Sequence, residues 1–197
     1  LQIGSSPGGN DVLDENIGNV LTKTINGSSG AIYYARVQAV NSAGLASAWS
    51  GNSDGIMIDT SGPTMPGKPL SAAVYVSSPT VTFVWTAASD MQSGTAGYNL
   101  QVGSTAGGND IYDAWIGNVL TKSITASHGQ TLFARVQAVN NAGLSSSWSL
   151  NSDPVLIDLT APSAPGTPTD SGAYSSPTVT FAWTAASDGE SGITSYV

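Results

Sequence analysis

The chain has 197 residues, of which five are Lys or Arg and 13 are Asp or Glu, so its formal net charge is −8 at pH 7. A nucleic-acid-binding protein needs a basic face, and five scattered basic residues cannot form one. No apolar run reaches the roughly 20 residues that a membrane-spanning helix requires, so we expect no membrane insertion.

The sequence contains no cysteine, which excludes disulfides, thiol nucleophiles and thiolate metal sites together. Small secreted animal domains usually carry disulfides. A weakly charged, cysteine-free chain rich in Gly and Ser is therefore more typical of a prokaryotic protein that is extracellular or lies at the cell surface. We expect that location here.

The sequence repeats itself along its whole length. Residues 1–59 align without a gap with residues 100–158, and residues 77–90 align with residues 175–188 after the loss of one position. The repeat period is thus 98 to 99 residues. This is the size of an independently folding domain and exceeds the roughly 20–50 residues of a solenoid repeat. The period predicts a tandem array of domains.

Two segments rich in Pro and Gly, residues 58–69 and 157–168, are interpreted as interdomain linkers, because these residues break helices and central strands. We therefore expect the C-terminal part of a domain at 1–60, a complete domain at 61–160, and the N-terminal part of the next domain at 161–197. The partial domains would be completed either within a longer polypeptide or by strands of a neighbouring molecule. Both alternatives predict a linear string.

Within each repeat, apolar and polar residues alternate. Residues 81–85, 98–102 and 132–138 each place their apolar side chains on one face, which is the period-two pattern of a β-strand. Gly, Asn, Ser and Pro separate these short strands about every 8 to 12 residues, and this pattern predicts an all-β sandwich. No stretch sustains the periodicity of an amphipathic helix.

The order of these motifs resembles the fibronectin type III domain. In that family a Trp lies on the second strand, a Tyr opens the third strand, and a V-x-A-V-N-x-x-G run marks the sixth strand and its turn. The matching residues are Trp85, Trp183, Tyr98, Tyr196 and the runs that end at Asn41 and Asn140. The resemblance implies tandem immunoglobulin-like sandwiches with seven strands per repeat, similar to the repeats of large prokaryotic surface proteins. The family's sixth-strand Tyr is matched by Tyr33, whereas the complete repeat has Leu132 there.

Acidic residues cluster in two kinds of loop. Asp90 is matched by Asp188, which is followed by Glu190, in the turn before the third strand; Asp110 and Asp113 follow the third strand. Several oxygen ligands on a flexible loop suit Ca²⁺, so these five residues are candidate calcium ligands. The alternative is that Asp90 and Asp188 hydrogen-bond their own turn, as Asp commonly does. We expect no other cofactor.

The single histidine, His128, lies in a turn where the other copy has Ser29. A catalytic base needs a nucleophile or acid within reach and a group that orients it, and the sequence offers neither here. Because no other catalytic motif is present, we do not expect the chain to be an enzyme.

Arg and Trp recur together in the two copies. Arg36 and Arg135 point outward from the sixth strand, and Trp49 and Trp148 lie on or before the last strand. We expect each Arg to stack on its Trp, a cation–π contact similar to the Arg–Trp ladder of some receptor fibronectin domains. Carbohydrate stacking on an exposed Trp is the alternative.

These observations favour a structural function. We expect a repeat unit of an extracellular fibre, filament or surface stalk, whose partners are copies of itself placed end to end. The alternative is a binding or spacer region of a secreted carbohydrate-active enzyme or adhesin. Trp115, which replaces Asn16 of the first copy, is the candidate contact surface for a glycan or another partner.

Overall fold

The computed structural model describes residues 1–170, 172–173 and 177–197. The four other positions belong to the third predicted domain, and what the sequence predicts for them lies outside the described residues. Over the described ranges the secondary structure consists of eleven β-strands, with no helix. No helix with the length and hydropathy of a membrane span is therefore found among the described residues.

The chain forms two compact units. Unit 1 comprises Leu1–Thr64, Ala88–Ala96 and Ala138–Ser146, and unit 2 comprises Met65–Ala87, Gly97–Gln137 and Ser147–Val197. Each unit combines segments from more than one of the predicted domains. The domain boundaries at 60 and 160 remain a prediction.

Unit 1 contains a four-stranded sheet in the order β2-β1-β3-β4. Its strands are β1 (Gln2–Gly4), β2 (Leu13–Asp14), β3 (Ile32–Arg36) and β4 (Ile56–Met57). All three pairings are antiparallel, and Ile3 lies opposite both Leu13 and Ala35. Ile3 is the buried hydrophobic residue of this sheet.

The complete repeat supplies a five-stranded sheet in the order β5-β11-β10-β7-β8 and a two-stranded sheet of β6 and β9. These strands are β5 (Tyr75–Val76), β6 (Thr80–Val84), β7 (Thr95–Gly103), β8 (Tyr112–Gly117), β9 (Thr121–Thr125), β10 (Thr131–Asn140) and β11 (Val155–Ile157). Strand β5 runs parallel to β11, whereas β6 pairs antiparallel with β9, β7 with β8, and β10 with β11.

The hydrophobic core of unit 2 is formed by the alternating faces that the sequence predicts. On β7, Tyr98, Leu100 and Val102 are buried while the residues between them are half-buried. Strand β10 alternates in the same way from Leu132 onward, and on β6 Val81 and Phe83 are buried. The predicted faces of 81–85, 98–102 and 132–138 are confirmed, and so is the all-β sandwich.

The pairing of β7 with the edge strand β8 is irregular at one point. The register between β7 and β8 shifts at Tyr98 and Asn99, so that Tyr98 faces Gly117 and Asn99 faces Trp115. A Cβ atom on Gly97 would lie 2.5 Å from the carbonyl carbon of Gly117. Only glycine allows the two backbones to approach this closely.

Candidate functional site

A row of polar side chains crosses the outer face of the five-stranded sheet in unit 2. Gln101 on β7 accepts hydrogen bonds from Nε (3.0 Å) and Nη2 (2.8 Å) of Arg135 on β10, and its Nε2 donates to Oδ2 of Asp113 on β8 at 3.1 Å. The guanidinium carbon of Arg135 lies 4.8 Å from the ring centroid of Trp148. We call Asp113, Gln101, Arg135 and Trp148 the arginine row.

The same row is present in unit 1. Arg36 Nε donates to Gln2 at 2.9 Å, Gln2 donates to Asp14 at 2.9 Å, and Arg36 stacks at 4.8 Å on Trp49. A cation–π contact at an exposed position contributes about 0.5–1 kcal/mol. Because the row recurs with the same partners, it is a property of the repeat and not of one specialised ligand site.

Sequence reasoning missed a serine segment that follows β10. The hydroxyls of Ser149 and Ser152 accept the backbone N–H groups of Val136 (3.0 Å) and Ala134 (2.9 Å), and the Ser N–H groups donate back to the same residues at 2.8 and 2.7 Å. Ser146 forms the same reciprocal pair with Ala138, within unit 1. Three residues of the segment match two residues of the strand, as in a repeated β-bulge.

The first copy contains an equivalent serine segment. Ser47, Ser50 and Ser53 accept the N–H groups of alternate residues from 35 to 39 at 2.9–3.1 Å. The available signal was the S-x-x-S-x-x-S spacing at 47–53 and again at 146–152. This spacing predicts the pairing with the strand only if the serine hydroxyl is taken as the acceptor that replaces a backbone carbonyl.

Asp110, in the loop before β8, and Asp113, on β8, belong to different networks. Asp110 Oδ1 accepts the N–H of Ser104 at 3.0 Å, and hydrogen bonds from Ser104 hold its pKa below the ordinary value. Asp113 Oδ2 accepts from Asn109 at 2.7 Å and from Gln101. Each carboxylate is therefore held by protein donors, and calcium binding at this pair remains a prediction.

Asp90 lies in unit 1 beside the first linker. Its Oδ1 accepts the N–H groups of Ser93 and Gly94 at 2.9 and 3.0 Å, which is the turn contact that the sequence offers as the alternative to calcium. Its Oδ2 accepts from Nδ2 of Asn140 at 3.1 Å. The same nitrogen donates to Asp59 Oδ2 at 2.8 Å, so Asn140 bridges the two carboxylates.

The orientation of the Asn140 amide is fixed by its surroundings. Its Oδ1 accepts the N–H groups of Ala142 and Leu144 at 3.1 and 2.8 Å, which leaves Nδ2 facing Asp59, Asp90 and the carbonyl of residue 61. Hydrogen bonds from Ser93 first, and then from residue 61, lower the pKa of Asp59. We call Asp59, Asp90, Ser93 and Asn140 the Asp59 cluster.

A corresponding cluster in unit 2 surrounds Asp158, which is buried. Asp188 Oδ1 accepts the N–H groups of Glu190, Ser191 and residue 192 at 3.2, 2.8 and 3.0 Å, as Asp90 does for its own turn. A hydrogen bond from the Ser191 side chain is the largest influence that lowers the pKa of Asp158. His128 contributes the weakest lowering influence.

His128 lies between two carboxylates in this cluster. Its Nδ1 is 3.8 Å from Asp158 Oδ1, and its Nε2 is 3.5 Å from Glu190 Oε1. Nδ1 also accepts the N–H of Leu159 at 3.1 Å, and Nε2 is the ring nitrogen that faces Glu190. We call His128, Asp158, Asp188 and Glu190 the Asp158 cluster.

The aromatic residues that carry the family resemblance form two equivalent pairs within unit 2. Trp85 and Tyr98 are buried in an edge-to-face arrangement with ring centroids 6.0 Å apart. Trp183 and Tyr196 form the same arrangement at 5.7 Å but are exposed. Trp115, the predicted contact residue, is 51% exposed on the edge strand β8.

Comparison with solved structures returns β-sandwich domains. Similar chains include the PKD domain of an M14-like peptidase from Thermoplasmatales archaeon SCGC AB-540-F20 (TM-score 0.39, 18% identity, 50% of this chain and 97% of that chain). Others are the chicken CNTN1 FN1–FN3 domains (TM-score 0.45, 18% identity, 66% of this chain and 44% of that chain) and titin domains A168–A170 (0.41, 18%, 66% and 41%).

The described strands form an all-β sandwich. No protein-family model matches the sequence. No curated protein matches it either. With TM-scores of 0.39–0.45 and 18% identity, these likenesses assign neither a family nor a function, so function must come from the residues of this chain.

Proposed function

We propose that the chain is a structural repeat unit of an extracellular fibre, filament or surface stalk, assembled as a linear string of β-sandwiches. The arginine row and the serine segment support this proposal, because both recur in the two copies and both serve to hold strands of one sandwich together. The composition that favours a prokaryotic surface location supports the proposed site of assembly.

The observation that carries the proposal is the recurrence of both networks in the two copies. Equivalent apolar residues, in contrast, differ in exposure between copies. Phe83 and Trp85 are 0% and 5% exposed, whereas their counterparts Phe181 and Trp183 are 57% and 47% exposed. Covering a large apolar side chain contributes about 1.5–3 kcal/mol. An opposing sheet over the face around Trp183 would therefore contribute several kcal/mol.

The N-terminal copy also exposes a position that is buried in the complete repeat. Val37 is 51% exposed, while its counterpart Val136 is fully buried in the complete repeat. A buried position of β10 in the complete repeat therefore has an exposed equivalent at Val37. We propose that copies placed end to end cover both faces, either along one long tandem chain or between neighbouring molecules.

Electron microscopy of material from the source cells, labelled with antibodies against this chain, tests the proposal. We expect threads or filaments outside the cell, with subunits that repeat about every 35–40 Å, which is the length of one sandwich. Discrete extracellular particles, or labelling inside the cell, would contradict it.

Sedimentation of the purified chain separates the two ways of continuing the string. Growth of oligomers with concentration, lost in Trp183→Ser but retained in the control Trp115→Ala, is the result expected for assembly between molecules. A monomer at all concentrations, together with long threads from the source cells, assigns the string to one tandem chain.

The alternative function, glycan binding in a secreted carbohydrate-active enzyme or adhesin, is favoured by one observation, the exposure of Trp115. A sugar ring can stack on an exposed indole such as that of Trp115, whereas the indole of Trp148 is already covered by Arg135. Glycan-array binding that disappears in Trp115→Ala is the expected result for this alternative. No binding to any glycan would remove it.

A further inference from the structure

We propose that His128 and Glu190, with Asp158 behind the imidazole, bind one divalent transition-metal ion of the Zn²⁺, Co²⁺ or Ni²⁺ kind. The ligands come from the turn after β9 and from the loop that contains Asp188. This inference is independent of the proposed structural function. Ion binding would connect these two segments with each other and with the second linker, residues 157–168, which contains Asp158.

The spacing of the two ligand atoms fits such an ion. His128 Nε2 and Glu190 Oε1 are 3.5 Å apart. An ion at about 2.0–2.2 Å from both atoms subtends an angle of roughly 110° between them, the tetrahedral value that Zn²⁺ prefers. Because Glu190 is only half-buried and His128 is exposed, water can complete the coordination.

Asp158 has the position of the carboxylate that orients a metal-bound histidine. Ligation through Nε2 moves the ring proton of His128 to Nδ1, which faces Asp158 Oδ1 at 3.8 Å. Leu159 then gives up its hydrogen bond to Nδ1, and because Leu159 is exposed, water can replace that acceptor. His128, Asp158 and Glu190 offer ligand atoms that all lie within 4.8 Å of one another.

The local charge also favours a cation. Asp158, Asp188 and Glu190 place three carboxylates in one cluster, and within the described part of the chain none of them has a Lys or Arg nitrogen within 4.0 Å. No Lys or Arg therefore neutralises these carboxylates, and His128 is the basic side chain beside them.

The first copy offers a matched comparison within the same chain. Ser29 stands in place of His128 and accepts the N–H of Thr60 at 3.2 Å, as His128 accepts that of Leu159. Gln92 stands in place of Glu190 and accepts from Ser61 at 3.3 Å. Both ligating side chains are thus present at one linker and both are replaced by neutral, weaker ligands at the other.

The chemistry of the ligands selects the class of ion. Imidazole nitrogen is a good ligand for Zn²⁺, Co²⁺ and Ni²⁺, whereas Ca²⁺ prefers oxygen ligands, about six to eight of them. The Asp59 cluster lacks an imidazole, and an amide nitrogen already lies between its carboxylates. The Asp158 cluster is therefore the one to which we assign the ion.

Calorimetric titration of the 197-residue chain with ZnCl₂, and visible absorption of the Co²⁺ form, test the assignment. We expect one equivalent to bind, with affinity reduced at least about tenfold in His128→Ser and in Glu190→Gln, the residues that the first linker already carries. Asp158→Asn should weaken binding by a smaller factor. Far-UV circular dichroism without metal confirms that each variant is folded.

The first linker supplies the control variants. Ser29→Ala should leave the Zn²⁺ affinity unchanged, and the double substitution Ser29→His with Gln92→Glu should raise the stoichiometry from one to two. Failure to bind Zn²⁺ below about 1 mM, binding that survives His128→Ser, or tighter binding of Ca²⁺ than of Zn²⁺ would each overturn the assignment.

Discussion

Ser149→Ala tests whether the serine segment holds the sandwich together. Ser149 is 6% exposed and its hydroxyl accepts the N–H of Val136, a residue that is fully buried. The substitution leaves that N–H without its acceptor where water cannot replace it. Leaving a buried donor unsatisfied costs about 1–3 kcal/mol. In a domain of about 100 residues such a loss lowers Tm by roughly 4–24 °C.

The assay is urea unfolding followed by tryptophan fluorescence, combined with hydrogen exchange at the Val136 amide. We expect a lower midpoint with an unchanged slope, and exchange at Val136 faster by roughly 5- to 150-fold, the equivalent of the free-energy loss. Ser145→Ala is the control, because Ser145 is exposed and no hydrogen bond of its hydroxyl is found among the described residues. If the two variants differ by less than about 0.5 kcal/mol, the hydroxyl is not the substitute for a strand carbonyl that we infer.

Three further outcomes follow from the same contacts. Asn140→Ala, which removes the amide between Asp59 and Asp90, should destabilise the chain by about 1–3 kcal/mol in urea unfolding, and an Asn140→Asp variant, which adds a third carboxylate, should be less stable still at neutral pH. Because the pKa of Asp59 in the folded chain lies below the ordinary value of 3.8, the ionised carboxylate stabilises the fold at pH values above 3.8. This contribution is lost as the pH falls through the lower pKa of the folded state. Unfolding midpoints should therefore decline below about pH 4, and less steeply in Asp59→Asn; parallel declines would contradict this sign. Arg135→Ala should cost about 0.5–1 kcal/mol and shift the emission of Trp148, and an unchanged spectrum would show that the stack is not formed in solution.

The alternating strands could be predicted because burial leaves a period of two in the residue types. Leu132, Ala134 and Val136 follow each other at every second position and are all fully buried. The serine segment carries no such signal, because its polar side chains face the strand at every third position. A hydroxyl that replaces a carbonyl cannot be recognised from hydropathy.

The linker clusters could be anticipated only in part. The turn hydrogen bonds of Asp90 and Asp188 join residues three or four positions apart, so the sequence offered them as the alternative to calcium. The bridge from Asn140 to Asp59 and the approach of His128 to Glu190 join distant segments. Spacing within a loop contains no information on such pairs.

The comparison of the two copies separates what builds a sandwich from what distinguishes one linker from another. Gln, Arg, Trp and Asp of the arginine row are identical in both copies, and so are the three serines of the segment. At the linkers Ser29 becomes His128 and Gln92 becomes Glu190. The changed pair places the residues of the proposed metal site at one linker only, whereas the hydrogen bonds of the arginine row and of the serine segment recur in both copies.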